Sequence, residues 1–423
     1  MSEESVILRC AAAHGNALSP LGERVACDGA FISRRGPGEG VRVGYFLGSE
    51  GFLQLDWSSR ICEQLRRSFA SLRMTDLCGW RSKTIIIKRL LILLLICPAV
   101  CAAQGQKLRK FELRAESPQF WKLVDREAKL SRVGTGFGFT EGPVWDPHGF
   151  LYVSDETLNK IFRLYPDGHR EELISLGDPD GNTFDQRLRL LDCASVLRAV
   201  IRIEPDGRYT ILAGRYQNKR FNSPNDLVIG PDGAIYFTDP TLDLPKGQPQ
   251  EIPFQGVYRL DSSGEVRLLT RDLAQPNGLA FSPDSKRLYV DDSERLDIRV
   301  YDFLPGGTLA NGHPFGEEKG GPDQGVPDGM RVDVEGNLFV VGPLGIWVWD
   351  AAGHHLGTIV LPEQPANLTW GESDYATLFI TATTSVYRIR TLVRGFVPYL
   401  SEGNRRPVRH VKPTRPVRAS AGR

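Results

Sequence analysis

The sequence predicts an all-β fold, a six-bladed β-propeller, over residues 137–390. Three observations carry this. A unit of roughly 40–50 residues recurs about six times, the range of a four-stranded propeller blade. Within each unit, short runs alternate apolar and polar residues between turn sequences, which is the two-residue period of a strand. No helical spacing is sustained there, and the 44 glycines and 28 prolines stand mostly between apolar runs. A β-sandwich fits less well, because the unit is long and holds two hairpins.

The copies can be followed in order. Asp146-Pro147-His148-Gly149 precedes the run 150–155, and a degraded turn, Asp185-Gln186-Arg187, precedes 188–192. Pro231-Asp232-Gly233 precedes 234–239, and Ser282-Pro283-Asp284 precedes 287–291. Asp333-Val334-Glu335-Gly336 precedes 337–341, and Glu372-Ser373-Asp374 precedes 377–381. A second hairpin follows most copies, as in 160–164 with the turn Pro166-Asp167-Gly168. A propeller closes by pairing its two chain ends, so that only short strand edges remain.

Around this body lie segments of other character. Residues 1–80 show weak periodicity and no sustained strand or helix; they read as a disordered extension, or as untranslated sequence before a true start at Met74. Residues 81–103 follow the plan of a secretory signal: Arg81, Lys83, Lys88 and Arg89, an apolar core from Leu90, then Cys101-Ala102-Ala103. That core is too short for a comfortable bilayer span, so the expectation is a periplasmic or secreted protein without a membrane span after signal removal. Residues 104–136 are a lead-in, and 391–423 a basic disordered tail. Six of the seven cysteines precede residue 102, which leaves Cys193 alone in the body and excludes a disulfide there. The net charge of +1 argues against nucleic acid as a partner. There is no Gly-x-Ser-x-Gly and no phosphate-binding loop.

Function is expected where polar residues head the innermost strands, because those heads meet at one mouth of the channel. Glu141 stands in Thr140-Glu141-Gly142-Pro143, and Asn225 and Asp226 in Ser223-Pro224-Asn225-Asp226. Asn277 stands in Pro276-Asn277-Gly278, and Asp328 in Pro327-Asp328-Gly329. Any one of these is an ordinary turn former. Their common place in a repeat argues for a shared role. Carboxylates and carboxamides form an oxygen-only donor set, so the channel is expected to bind one hard divalent cation, Ca²⁺ first, then Mg²⁺ or Mn²⁺, with Zn²⁺ as a further alternative.

These motifs, with Ile235-Tyr236-Phe237-Thr238-Asp239-Pro240 and Gln255-Gly256-Val257-Tyr258-Arg259-Leu260, resemble the gluconolactonase/regucalcin (senescence marker protein) family across about residues 137–390. The family is similar in outline to diisopropyl fluorophosphatase and paraoxonase. The resemblance implies a metal-dependent lactonase acting on a small sugar lactone. It implies Glu141, Asn277 and Asp328 as metal ligands, Asn225 as a ligand or substrate contact, and Asp226 at the pocket border. It also makes Asp328 the catalytic base, its carboxyl kept ionised by the cation. Arg220 is a candidate for a sugar hydroxyl or carboxylate. The second blade departs from the family pattern, with Asp180 before Gly181 and Asp192-Cys193-Ala194-Ser195 in place of a more polar loop, which puts substrate identity in doubt. Related readings are a propeller hydrolase of phosphotriesters or aryl esters, and a binding propeller without catalysis.

Overall fold

The computed structural model describes residues 108–321 and 323–400, and the backbone of three strands nearer the N-terminus. The chain divides into two compact units, 1–105 and 106–423. In the first, Ala30–Ser33, Val41–Leu47 and Gly51–Trp57 form an antiparallel sheet, with Val41 opposite Trp57 and Leu47 opposite Gly51. The sequence reading has no sustained strand there; alternation of Val41, Val43, Tyr45 and Leu47 supplies the missing period. The start at Met74, the signal 81–103 and the tail beyond residue 400 lie outside the described residues.

The second unit is a six-bladed all-β propeller whose strands pair in sequence order within blades 1 to 4, while blades 5 and 6 each end on a strand from earlier in the chain. The innermost strands are Thr140–Asp146, Pro179–Phe184, Leu227–Ile229, Pro276–Phe281, Met330–Val332 and Pro365–Gly371, for blades 1 to 6. Each second strand is buried on both faces, so its alternate residues serve two different interfaces. Leu378 and Ile380 pack on Phe339 and Val341 of blade 5. Phe379, between them, packs on blade 1, where its ring stacks on Trp145 with centroids 5.2 Å apart. Six apolar clusters of this kind fill the six gaps between blades.

The turn between the first two strands is the same in all six blades. An amide three residues on donates to the carbonyl that begins the turn, as Gly149 to Asp146 and Leu188 to Asp185, both at 2.9 Å. The donor residue has positive φ, and only Gly149, Gly233 and Gly336 are glycines. Leu188 (φ 58°), Ser285 (59°) and Tyr375 (53°) take that strained conformation instead, which is why the sequence signal fades in those blades.

Closure uses chain on both sides of the expected domain limits. Leu130–Thr135 pairs with Ser385–Arg390 as the outer strand of blade 6. Glu112–Ala115 pairs with His355–Val360 as a fifth strand of blade 5, and the single helical turn Phe120–Leu123 buries Phe120 and Leu123 in the gap between those blades. Residues 391–400, grouped by sequence with the disordered tail, are packed instead. Phe396 donates its amide to Val332, Tyr399 donates its hydroxyl to the Trp145 carbonyl at 2.9 Å, and Val393, Tyr399 and Leu400 are buried. This segment runs across one end of the channel, where a cavity of about 30 Å³ remains among Arg331, Trp370, Phe396 and Tyr399.

Candidate functional site

The polar heads sit in one register. In blades 2 to 6 a proline is followed by two head positions: Asp180-Gly181, Asn225-Asp226, Asn277-Gly278, Asp328-Gly329 and Ala366-Asn367. Blade 1 has Glu141-Gly142. Where the second position is glycine, crowding requires it. A Cβ on Gly278 would lie 2.3 Å from the Asp328 carbonyl, and one on Gly329 would lie 2.2 Å from the Asn367 side chain. The backbones of neighbouring blades touch here, and hydrogen bonds link them around the ring. Gly181 donates to the Asn225 carbonyl at 2.9 Å, the Thr238 hydroxyl to the Asn277 carbonyl at 2.8 Å, and Gly329 to the Ala366 carbonyl at 3.0 Å. The Asn367 amide donates to Glu141 Oε2 at 2.9 Å, which joins blade 6 to blade 1.

These bonds set which atoms are left facing the channel. Asn225 spends its NH₂ on Asp180 Oδ2 at 2.7 Å, and its Oδ1 is buried with no partner among the described residues. Asn277 spends its NH₂ on Ser293 Oγ at 3.2 Å. Glu141 takes both its bonds on Oε2, from Gly142 N–H at 2.6 Å and from Asn367, which leaves Oε1. The Asp328 carboxylate accepts no side-chain bond among the described residues. Glu141, Asn225 and Asn277 are buried and Asp328 half-buried.

The electrostatics agree. Burial pushes the Glu141 carboxyl up to about 8, with Asp226 adding to the rise and the bonds from Gly142 and Asn367 opposing it. Burial, then Glu141 and Asp226, push Asp328 well above the ordinary carboxylate range. Asp180 is raised likewise by burial and by Glu156 and Glu141. Carboxyls crowded out of water and close enough to repel one another are destabilised as anions, and a cation among them reverses that sign. The four oxygens of Glu141, Asn225, Asn277 and Asp328 thus fit a hard divalent cation. Among the described residues no three His, Cys, Asp or Glu side chains group as metal ligands would, which is consistent with a set in which two donors are amides.

The other two candidates lie differently. Asp226 gives Oδ1 to the Leu227 amide at 2.8 Å, and its Oδ2 is 3.6 Å from Arg331 Nη1, so it turns along the channel toward the end covered by residues 396–399. Arg220 bonds to the segment 248–251. Its amide donates to Glu251 Oε2 at 2.8 Å and its guanidinium to Gln248 Oε1 at 3.0 Å. Sequence reasoning passed over Asn367 and Arg331 and took Asp180 only as a departure. Asn367 could have been found from Pro365-Ala366-Asn367-Leu368, which keeps the head register with the polar residue one place later.

One buried carboxyl outside this ring gives a pH prediction. Glu318 accepts the Trp349 indole N–H on Oε1 at 2.9 Å, while Oε2 has no partner among the described residues, and burial pushes the group up to about 8. The folded protein therefore holds a proton that the unfolded chain releases above about 4.3. Stability falls as pH rises from there to about 8, by about 1.4 kcal/mol per unit at most, and is unaffected below both values. Glu318→Gln is expected to flatten this limb and raise the thermal midpoint at pH 8; equal midpoints of variant and parent across pH 5–8 would refute the assignment.

The model of the SMP-30/gluconolactonase/LRE-like region matches residues 139–384. The chain belongs to this family. A gluconolactonase of Zymomonas mobilis is 34% identical over 321 residues, 68% of this chain and 87% of that protein. A pentonolactonase of Haloferax volcanii is 28% identical over 262 residues, 59% of this chain and 83% of that protein. The solved structure of a Xanthomonas campestris gluconolactonase superposes with a TM-score of 0.62 at 32% identity, covering 67% of this chain and 96% of that one. The family match spans all six heads, Glu141 to Asn367.

Proposed function

We propose that this family member is a metal-dependent lactonase, a hydrolase that opens a small sugar lactone to its hydroxy acid, and that it acts after export through the 81–103 segment. The observation that carries the reading is the side-chain oxygen of Asn225, buried and without a partner among the described residues, alongside two carboxylates and a second amide held in the same register. The relatives named for gluconolactone and pentonolactone hydrolysis support the substrate class. Glu141, Asn225, Asn277 and Asp328 would hold the cation, Ca²⁺ by preference for an all-oxygen set. When bound, the cation supplies Lewis-acid polarisation of a carbonyl and charge for the developing oxyanion.

The chain's own residues do the rest. Asp328 takes a proton from water as the water oxygen bonds to the lactone carbonyl carbon. The bond from that carbon to the ring oxygen then breaks, and the proton on Asp328 passes to the leaving alkoxide. Asn367 and Gly142 hold Glu141 in one orientation through Oε2, and Asp180 holds Asn225 through its amide. The covered far end of the channel leaves the head side for substrate approach. Acid release from glucono-δ-lactone, a pentonolactone, an aryl ester and a phosphotriester, followed at fixed pH with the 104–423 fragment, tests this. Turnover of the lactones that stops on chelation and returns with Ca²⁺ or Mn²⁺ is the expected result. Preferential cleavage of the aryl ester or phosphotriester, or no hydrolysis with any cation, would refute it.

A further inference from the structure

Ser293 follows the second strand of blade 4 and is not one of the heads. Its hydroxyl donates to the Pro327 carbonyl at 2.7 Å, and its Oγ accepts the Asn277 amide at 3.2 Å. Both Ser293 and Asn277 are buried. The single hydroxyl proton is committed to Pro327, so Oγ can offer only lone pairs to Asn277. The atom of Asn277 that meets it must therefore be the NH₂, and the carboxamide oxygen must point the other way, into the channel. The carbonyl that Ser293 grips belongs to the residue before Asp328. One hydroxyl thus touches the supports of two heads from different blades.

The same device occurs once more. Ser195 occupies the equivalent place in blade 2: its amide donates to the Asp178 carbonyl at 3.0 Å, as that of Ser293 does to the Gln275 carbonyl at 3.0 Å. The Ser195 hydroxyl donates to the Pro224 carbonyl at 2.9 Å, one residue before Asn225. Only Ser293 also meets a head side chain. The backbone of the Asn277 head is fixed from its other side, where Gly278 donates to Asp291 Oδ1 at 3.0 Å. Side chain and backbone of Asn277 are thus held independently, so loss of the serine hydroxyl leaves the backbone bond in place.

We infer that Ser293 is a positioning residue for the cation site: it fixes the carboxamide orientation of Asn277 and the approach of Asp328, so that both present oxygen to one ion. This rests on the cation-binding reading above. Partners behind metal ligands commonly change affinity by about 10–100-fold when lost. The test is calorimetric titration of the metal-free 104–423 fragment with Ca²⁺ alone and with Mn²⁺ alone, beside thermal unfolding of the same samples. Ser293→Ala is expected to weaken binding by about 10-fold or more, with Ser293→Thr, which keeps the hydroxyl, within about threefold of the parent. In an Asn277→Asp background, where either oxygen can face the ion, the Ser293→Ala loss is expected to shrink. An Ala variant that binds as tightly as the parent overturns the inference and leaves the site intact. An equal loss in both backgrounds, tracking only the thermal midpoint, also overturns it by making Ser293 merely structural. A parent fragment that binds neither ion overturns the site reading, and this inference falls with it. If Ser293→Ala does not fold, the comparison is made between Ser293→Thr and Ser293→Cys, whose thiol is a weak donor and should bind the ions less tightly.

Discussion

Asp328→Asn is expected to lower kcat on a sugar lactone by about 10²–10⁴-fold, the usual worth of a positioned general base. The substitution keeps the shape and removes a carboxylate that accepts no side-chain bond among the described residues and can take a proton from water. It also removes a charge that burial, Glu141 and Asp226 make costly in the metal-free protein. The thermal midpoint of the metal-free variant should therefore equal or exceed that of the parent. Cation affinity should fall at the same time, because a carboxylate oxygen is lost from the set. Saturating the variant with Ca²⁺ separates the two effects: activity that returns in full would make Asp328 a ligand only. Steady-state kinetics over a range of cation concentrations reads both.

The second large effect concerns the limits of the domain. A fragment of residues 137–390 is expected not to unfold cooperatively, whereas 104–423 should. The shorter fragment lacks the outer strand of blade 6 and the fifth strand of blade 5. It also lacks Phe120, Leu123, Val124, Val393 and Leu400, all buried in the full unit. At about 1.5–3 kcal/mol for each large apolar side chain, their loss rivals the roughly 5–15 kcal/mol that holds a domain together. Circular dichroism melts of the two fragments decide the matter. A sharp transition for 137–390 within a few degrees of the longer fragment would show that closure contributes little.

Both expectations reflect what the sequence does and does not display. The blades were legible because each second strand is buried on two faces, which concentrates apolar residues into short runs such as Leu378-Phe379-Ile380 between turn residues. The closing strand was not, because an outer strand covers little: in Leu130–Thr135 no residue is fully buried. The turn of blade 2 was read as degraded since Leu188 takes a conformation that glycine marks elsewhere. The tail boundary was set by the arginines after residue 404, although Val393, Tyr399 and Leu400 already belong to the packed body.

The candidate site divides along similar lines. Glu141, Asn225, Asn277 and Asp328 each carry a local motif before an apolar strand, so the heads could be picked out one blade at a time. Asn367 stands one place later than the others, and Ser293 lies in a different strand turn altogether. What they do depends on pairing between blades, which no single repeat records. Arg220, a candidate for a sugar hydroxyl or carboxylate, has its guanidinium on Gln248.

The claim on which the rest depends is that four oxygens from four blades hold one cation. The direct measurement is an anomalous-difference map from crystals of the 104–423 fragment soaked in Mn²⁺. A single strong peak bounded by Glu141, Asn225, Asn277 and Asp328 is the expected result. A peak elsewhere in the channel, or none at these residues under conditions that support lactone hydrolysis, would contradict it.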